Sequence, residues 1–104
     1  MKRPERVKIV SKRFTITYPA EGTHAELPQD QMGACNHTAQ KILIEDGLEY
    51  DTEKEVVLHE ILHAIDHEMA TNLTEEQVDS MGRGIIATLM DNPGFAKYLI
   101  AKAK

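Results

Sequence analysis

The sequence predicts an α+β domain in which a small, mainly antiparallel sheet packs against a motif-bearing helix and a second long helix. Three observations support this fold class. Short segments rich in β-branched residues fill the first half of the chain, and an uninterrupted helical pattern begins near Thr52. A capping signature at Thr74 then opens a second helix. A chain of 104 residues can bury one modest core, so we expect a single domain over residues 1–104.

The first half of the chain is expected to supply the strands. Residues 6–18 alternate in part between apolar and polar side chains, which is typical of one or two strands. Residues 19–31 contain two prolines and a glycine and are expected to be mostly loop. The short apolar run within residues 40–45 predicts a further strand, with residues 33–37 as its hairpin partner.

The second half of the chain is expected to be helical. The segment from Thr52 to Met69 contains neither proline nor glycine. Thr74, followed three residues later by Gln77, predicts a capping box for the second helix. We expect that helix to stop near residues 92–94 and a short C-terminal helix to follow. The inner face of the second helix is expected to consist of four apolar residues, Val78, Met81, Ile85 and Leu89.

Charge and cysteine content exclude several classes of function. The net charge of -5 argues against a general affinity for nucleic acid, because phosphate binding depends on Lys and Arg. Cys35 is the only cysteine, so the chain has neither an internal disulfide nor a cysteine-based zinc ribbon. No segment has the pattern of a signal peptide or a membrane span. We therefore expect a cytoplasmic protein without a membrane partner.

The most informative motif is H-E-x-x-H, formed by His59, Glu60 and His63 inside the first helical pattern. Two imidazoles four residues apart share one helix face and can reach one Zn²⁺ ion. Glu60 projects beside that ion and can act as general base on a zinc-bound water. The competing interpretation is an amphipathic helix whose histidines are hydrogen-bonded core residues. It would bury the Glu60 carboxylate without a cation, which is costly.

Four residues compete to be the third zinc ligand: Glu75, Glu76, Asp79 and His67. In a continuous helix, His67 lies roughly 12 Å along the axis from His59, too far to share one ion. Glu75 is favoured because it shares the buried face of the second helix, whereas Glu76 projects about 100° away. Asp79 lies one turn further along and can accept a hydrogen bond from a ligand imidazole. Because acidic residues also favour helix N-termini, the spacing alone leaves these alternatives open.

Residues 56–92 resemble the small zincin-like metallopeptidases of phages and mobile elements, relatives of the ImmA/IrrE-type and SprT-like enzymes. The segments that carry the resemblance are LHEILHAIDH at 58–67, LTEEQVDSMG at 73–82 and LMDNP at 89–93. The resemblance implies a minimal zincin-like domain that binds zinc through His59, His63 and Glu75 in a gluzincin-like arrangement. It also implies that Glu60 is the catalytic base and that the strand 41–45 pairs with an extended substrate at the sheet edge.

The leading expectation is therefore a zinc metallopeptidase that acts on a protein or peptide substrate. A chain this short is close to a minimal catalytic unit, so a partner protein is expected to contribute specificity. Three side chains, Tyr50, Tyr98 and His37, are candidates to stabilise the oxyanion.

Two other functions remain open. One is a non-catalytic, zinc-stabilised protein-interaction module, in which a fourth ligand such as His67 or Glu76 closes the metal site. The other is a metal-dependent nuclease whose three-histidine site includes His67. The acidic charge disfavours the nuclease, and such a site leaves Glu60 without a role.

Overall fold

Residues 2–103, which the computed structural model describes, fold into four short strands followed by three helices. The strands are β1 (Arg6–Ile9), β2 (Lys12–Thr17), β3 (Gly33–Asn36) and β4 (Lys41–Ile44). The helices are α1 (Tyr50–Met69), α2 (Glu75–Asp91) and α3 (Pro93–Ile100). The expected α+β class is confirmed, and α1 begins two residues earlier than the sequence pattern indicated.

The four strands form one mixed sheet in the order β1-β2-β4-β3. The β1–β2 and β3–β4 pairs are antiparallel, whereas β2 runs parallel to β4, with Ile16 opposite Ile42. The parallel pair arises because residues 18–32 carry the chain to the far edge, where β3 forms and then turns back into β4. The antiparallel description of the sheet therefore holds for two of its three pairings.

The expectation that strand 41–45 lies at the sheet edge is wrong. β4 is hydrogen-bonded to β2 on one side and to β3 on the other, so its backbone groups are already paired. The edge on this side of the sheet is β3. Any extended ligand that adds to this edge must pair with β3.

The core lies between the inner face of the sheet and α1. Phe14 is 1% exposed, and burial of a side chain of this size stabilises the fold by about 1.5–3 kcal/mol. In β2 the buried residues alternate with exposed ones, whereas three consecutive residues of β4 are buried, so both faces of β4 are covered. The main cluster consists of seven buried residues, Ile9, Phe14, Ile16, Ile42, Ile44, Val56 and Ala64.

The N-terminus of α2 is fixed by the expected capping box. The backbone N–H of Gln77 donates to the Thr74 hydroxyl at 3.1 Å, and the Thr74 N–H donates to the Gln77 side-chain oxygen at 2.9 Å. These two bonds satisfy amide groups that would otherwise lack partners at the helix start. They also fix the position of Glu75, the first residue of the helix.

The expected inner face of α2 is only partly correct. Val78 is buried as expected, but the second buried residue is Gly82, and Met81 and Ile85 are exposed. Gly82 faces α1 closely enough that an added Cβ would lie 3.3 Å from Leu62 Cδ1. Because a glycine allows this close approach, α2 packs on α1 through Val78 and Gly82. The stripe that includes Met81 and Ile85 instead borders α3.

The α1–α2 connection depends on Asp66. Its carboxylate accepts hydrogen bonds from the Leu73 backbone N–H and the Thr71 hydroxyl. These two bonds hold the pKa of Asp66 below its ordinary value, and the bond from Leu73 has the larger effect. The ionised carboxylate therefore stabilises the turn that delivers Glu75 to α1.

Replacing Asp66 by alanine is expected to lower Tm by about 5 °C near pH 7, because both bonds are lost. A carboxyl group with a lowered pKa stabilises the fold above its unfolded pKa, and this stabilisation disappears as pH falls through the folded value. The difference in Tm should consequently shrink below pH 3.8, the ordinary value for this group. Thermal unfolding, monitored by circular dichroism, measures this difference in Tm, and Asp91→Ala is the exposed control. An equal difference in Tm at all pH values would contradict the role of the charge.

Candidate metal centre

The two motif histidines lie on one face of α1 and point to the same place. His59 Nε2 and His63 Nε2 are 3.1 Å apart, and the two rings meet edge to face at 68°. The i, i+4 spacing in an unbroken helix produces this arrangement. Both side chains are partly buried and line one cleft.

Glu75 approaches both histidines from the start of α2. Its Oε1 lies 2.7 Å from His59 Nε2, and its Oε2 lies 2.9 Å from His63 Nε2. The ligand-type atoms of the three residues fall within 4.8 Å of one another. Of the four candidates for third ligand, Glu75 is the one that joins this group.

The tautomers of the two histidines decide how the three side chains pair. With hydrogens on both Nε2 atoms, each imidazole can donate to one oxygen of the ionised Glu75 carboxylate, at 2.7 and 2.9 Å. With the hydrogens on the Nδ1 atoms instead, two nitrogen lone pairs and a carboxylate oxygen turn toward one point. Three electron-pair donors in this arrangement are what a bound cation requires.

Asp79 and Arg83 lie on the other side of His59. Asp79 Oδ1 is 3.6 Å from His59 Nδ1, and Asp79 Oδ2 is 3.3 Å from Arg83 Nε. Asp79 therefore stands beside the His59 ring, but the distance is too long for the direct hydrogen bond that the sequence suggested. Arg83 was not predicted as a site residue. Its i, i+4 spacing from Asp79 was the signal available in the sequence.

Glu60 is buried beside the histidines, with 6% of its surface exposed. Burial, opposed by His59 and supported by the neighbouring charge of Glu75, raises the pKa of Glu60 to about 7. A carboxyl group with such a pKa can both accept and release a proton near neutral pH. This is the property that a general base and acid needs.

Gly33 of β3 makes room for Glu60. A Cβ added at Gly33 would lie 2.9 Å from Glu60 Oε2 and 2.7 Å from Val56 Cγ1. Carbon atoms almost never approach so closely, so any larger residue must displace the edge strand or the carboxylate. No pattern in the sequence predicts this role of Gly33.

Replacing Gly33 by alanine is therefore expected to destabilise the protein by about 1–3 kcal/mol through overpacking. The matched control is Gly94→Ala, because an added Cβ at Gly94 meets no atom within 4 Å. Urea unfolding of both variants gives the comparison. Equal stability of the two variants would show that β3 can move away from Glu60 at no cost.

Several candidate residues lie elsewhere. Glu76 is exposed and takes no part in the converging group. The His67 ring stacks on His37, with centroids 4.2 Å apart and planes inclined by 8°. This position removes His67 from the three-atom group around His59, in agreement with the distance along the helix. The three-histidine nuclease site is thereby contradicted for this arrangement of side chains.

The three candidates for oxyanion stabilisation lie in different parts of the structure. His37 lines the cleft. Burial has the largest effect in lowering the pKa of His37, and the nearby His67 and His63 lower it further. Tyr50 instead lies beneath Lys54 Nζ, 4.0 Å from the ring centroid, and Tyr98 is on α3 beside Phe95. Neither tyrosine is among the residues that line the cleft.

Cys35 lies on β3 at the same cleft, half-buried, with Sγ 3.6 Å from His37 Nδ1. Burial and, to a smaller extent, the charge of Glu60 raise the pKa of the Cys35 thiol to about 11. The thiol is therefore protonated at neutral pH and is a poor nucleophile or zinc ligand.

The cleft has a volume of about 680 Å³. Its walls are β3 with the two residues before it, the site-bearing face of α1, and the first half of α2. The space is large enough for several residues of an extended peptide. One wall is the unpaired edge of β3, so backbone hydrogen-bonding groups line the same cleft as the histidines.

No helix within residues 2–103 combines the length and apolar character needed to cross a bilayer. Comparison of the chain with protein-family models, curated proteins and solved structures found no match, so the function has to be inferred from the geometry of this cleft.

Proposed function

We propose that the protein is a zinc-dependent peptidase. The observation that carries the proposal is the convergence of His59, His63 and Glu75 within 4.8 Å beside the buried carboxylate of Glu60. Two histidines and a glutamate form a ligand set used by catalytic zinc, and the resemblance to phage and mobile-element zincins agrees with it. The proposed setting is the cytoplasm.

The spacing of the three ligand atoms supports zinc. Ligand atoms about 2.0–2.1 Å from a tetrahedral zinc ion lie roughly 3.4 Å apart. Here the two Nε2 atoms are 3.1 Å apart and lie 2.7 and 2.9 Å from different oxygens of Glu75, so small side-chain rotations bring the group to this size. Glu75 is free to make this adjustment because its side chain is 69% exposed.

A site with three protein ligands favours catalysis over a purely structural role. Structural zinc sites are closed by four protein ligands, whereas catalytic sites keep one position for water. Within residues 2–103, the converging group contains three residues, and His67 is held against His37. This arrangement supports the peptidase over the zinc-stabilised interaction module.

The chemistry follows from the neighbouring groups. Zinc held by these ligands would lower the pKa of a water molecule to near neutrality. Glu60 would accept a proton from the water that attacks the peptide carbonyl and would later pass this proton to the leaving amine. His37, which lines the cleft, is the candidate to donate a hydrogen bond to the developing oxyanion.

The position of β3 supports a peptide as substrate. An extended chain can add to the free edge of β3, and backbone hydrogen bonds then align its carbonyl groups along the cleft. The residues of β3 that face this cleft are small, Gly33, Ala34 and Cys35. A cleft wall made of backbone and small side chains selects weakly, so a partner protein that supplies specificity belongs to the proposal.

The test combines metal analysis with cleavage of a peptide library. The purified protein, equilibrated with zinc and desalted, should retain one equivalent by elemental mass spectrometry. It should cleave peptides in a manner abolished by 1,10-phenanthroline and restored by zinc. Failure to retain zinc, or cleavage that survives chelation, would overturn the proposal. One equivalent of zinc without any cleavage would instead identify the non-catalytic interaction module.

A further inference from the structure

His37 lies in the turn between β3 and β4 and lines the cleft that contains the candidate metal centre. The turn is held by a hydrogen bond at 2.9 Å, which the Ala39 N–H donates to Asn36 Oδ1. Residues in a turn lack the ladder of backbone bonds that fixes a strand, and they are more mobile for this reason. The direction of the His37 ring therefore depends on the contacts of its own side chain.

His67 makes one of these contacts, from α1. The two imidazoles stack almost in parallel, with centroids 4.2 Å apart and planes inclined by 8°. His67 is itself exposed, and it covers one face of the half-buried His37 ring. Because His67 belongs to a continuous helix, the stack ties the turn to α1 and restricts the rotamers of His37.

Cys35 makes the other contact, from β3. Its Sγ lies 3.6 Å from His37 Nδ1. The thiol keeps its hydrogen near neutral pH, because burial and the charge of Glu60 raise the pKa of Cys35 to about 11. The His37 ring is neutral there, because burial, His67 and His63 lower its pKa. A neutral imidazole has one acceptor nitrogen, so a thiol that donates to Nδ1 leaves the ring hydrogen on Nε2.

We infer that His67 and Cys35 are positioning residues for His37, which they hold with its Nε2–H ready to donate to the oxyanion. This role rests on the proposed peptidase function. His63 and His67 are four residues apart on one face of α1, about 6 Å along the helix axis. The stack of His37 on His67 therefore lies about one helical turn from a motif histidine, and His37 and His63 line the same cleft.

A positioning role differs from a structural one in a measurable way. A stack that only stabilised the fold would leave catalysis unchanged in any variant that remains folded. If His67 acts through His37, however, the effect of removing His67 must vanish when His37 is absent. His67 is exposed, so its replacement should leave the core intact.

A double-mutant cycle on peptide cleavage tests this dependence. His37→Ala should lower kcat by about 100-fold, the usual effect of removing one oxyanion donor. His67→Ala should lower kcat by about 5–10-fold with KM unchanged, because the His37 ring is correctly placed less often. In the His37→Ala background, His67→Ala should have no further effect.

Two further variants complete the cycle. His67→Phe keeps a flat ring for stacking and should restore most of the activity that His67→Ala loses. Met69→Ala is the control on the same helix, since Met69 is 58% exposed and lies outside the cleft, and its kcat should equal that of the wild type. Zinc content should stay at one equivalent in every variant. Circular dichroism confirms that each variant is folded.

NMR of the chelated full chain gives a readout that does not depend on cleavage. Long-range ¹H–¹⁵N spectra at about pH 7.5 identify which ring nitrogen carries the hydrogen. We expect this hydrogen on Nε2 of His37. Cys35→Ala should increase the population with the hydrogen on Nδ1, and Cys35→Val, which also lacks a donor, replaces it if the alanine variant unfolds. A wild-type His37 with its hydrogen on Nδ1, or unchanged spectra in both variants, would overturn the role of Cys35.

The remaining outcomes separate this role from the peptidase proposal. Equal effects of His67→Ala in the two backgrounds would overturn the positioning role and leave the peptidase proposal intact. A His67→Phe variant as slow as His67→Ala would do the same. Loss of zinc from His37→Ala would also overturn it, because His37 would then be a ligand. A wild type that cleaves no peptide would overturn the proposed function itself, and the role of His37 with it.

Discussion

Replacing Glu75 by glutamine is expected to weaken zinc binding by about 100-fold while leaving the fold intact. Four-ligand zinc sites bind with about 10–16 kcal/mol, which corresponds to about 3 kcal/mol, or two orders of magnitude, for each ligand. Glutamine keeps the size of the side chain but removes the charge that faces both histidines. The fold should tolerate the change because the Glu75 side chain is 69% exposed and the helix start is fixed by Thr74 and Gln77. Competition with a chromophoric chelator measures the affinity.

Glu76→Gln is the matched control for this prediction. It makes the same change in charge one residue further along α2, on an exposed side chain outside the converging group. Its zinc affinity should equal that of the wild type. A loss of zinc from Glu76→Gln but not from Glu75→Gln would identify Glu76 as the ligand and require a rotation of the helix start.

Asp79→Asn separates orientation from ligation. Asp79 faces His59 Nδ1 at 3.6 Å and does not reach the converging group. Groups that orient a metal ligand typically contribute 10–100-fold to affinity, so the effect should not exceed that of Glu75→Gln. A larger effect would indicate that Asp79 binds the ion directly and does not only orient the His59 ring.

The local parts of the structure were predictable because their signals are local. The helix around His59 and His63 follows from an uninterrupted periodic segment, and the start of α2 follows from the Thr74–Gln77 pair. The assignment of Glu75 depended on both signals together. A capped helix start after a short connection returns beside α1, and the first residue of that helix then faces the histidines.

The non-local parts were not predictable from one sequence. The position of β3 outside β4 depends on the path of residues 18–32, which carry no pattern that specifies a strand partner. The inner face of α2 differs from the one that the apolar pattern predicts, because Gly82 has no side chain and so carries no apolar signal, although it forms the contact with Leu62. A glycine is needed at position 33 because Glu60, 27 residues later in the sequence, packs against it. Glycines at close approaches acquire their meaning only in three dimensions.

Replacing Glu60 by glutamine is expected to abolish most peptidase activity while retaining zinc. General acid–base catalysis typically contributes 10²–10⁴-fold, so kcat should fall by about that factor. Glutamine is nearly isosteric and fits against Gly33, but it cannot accept the proton of the attacking water. Zinc content should stay at one equivalent, because Glu60 is outside the converging group. Glu55→Gln is the matched control, since Glu55 is an exposed glutamate on the same helix and lines the same cleft.

The same substitution should stabilise the zinc-free protein. A carboxyl group whose folded pKa is raised to about 7 binds its proton more tightly in the folded state than the ordinary value of 4.5 allows. Folding is therefore favoured below pH 4.5, and this contribution disappears as pH rises toward 7. Glu60→Gln removes the cost of burying the charge, so the chelated variant should exceed the chelated wild type in stability by at most about 3 kcal/mol at pH 8.

The two stabilities should converge at pH 4.5, where the wild-type carboxyl group is protonated in the folded state. Urea unfolding of the chelated proteins at both pH values tests this. A more stable but inactive variant would mean that Glu60 is retained for its chemistry, at a cost in stability, as is common for active-site groups. A variant that is both inactive and less stable would indicate that Glu60 supports the fold. Its effect on cleavage would then be indirect.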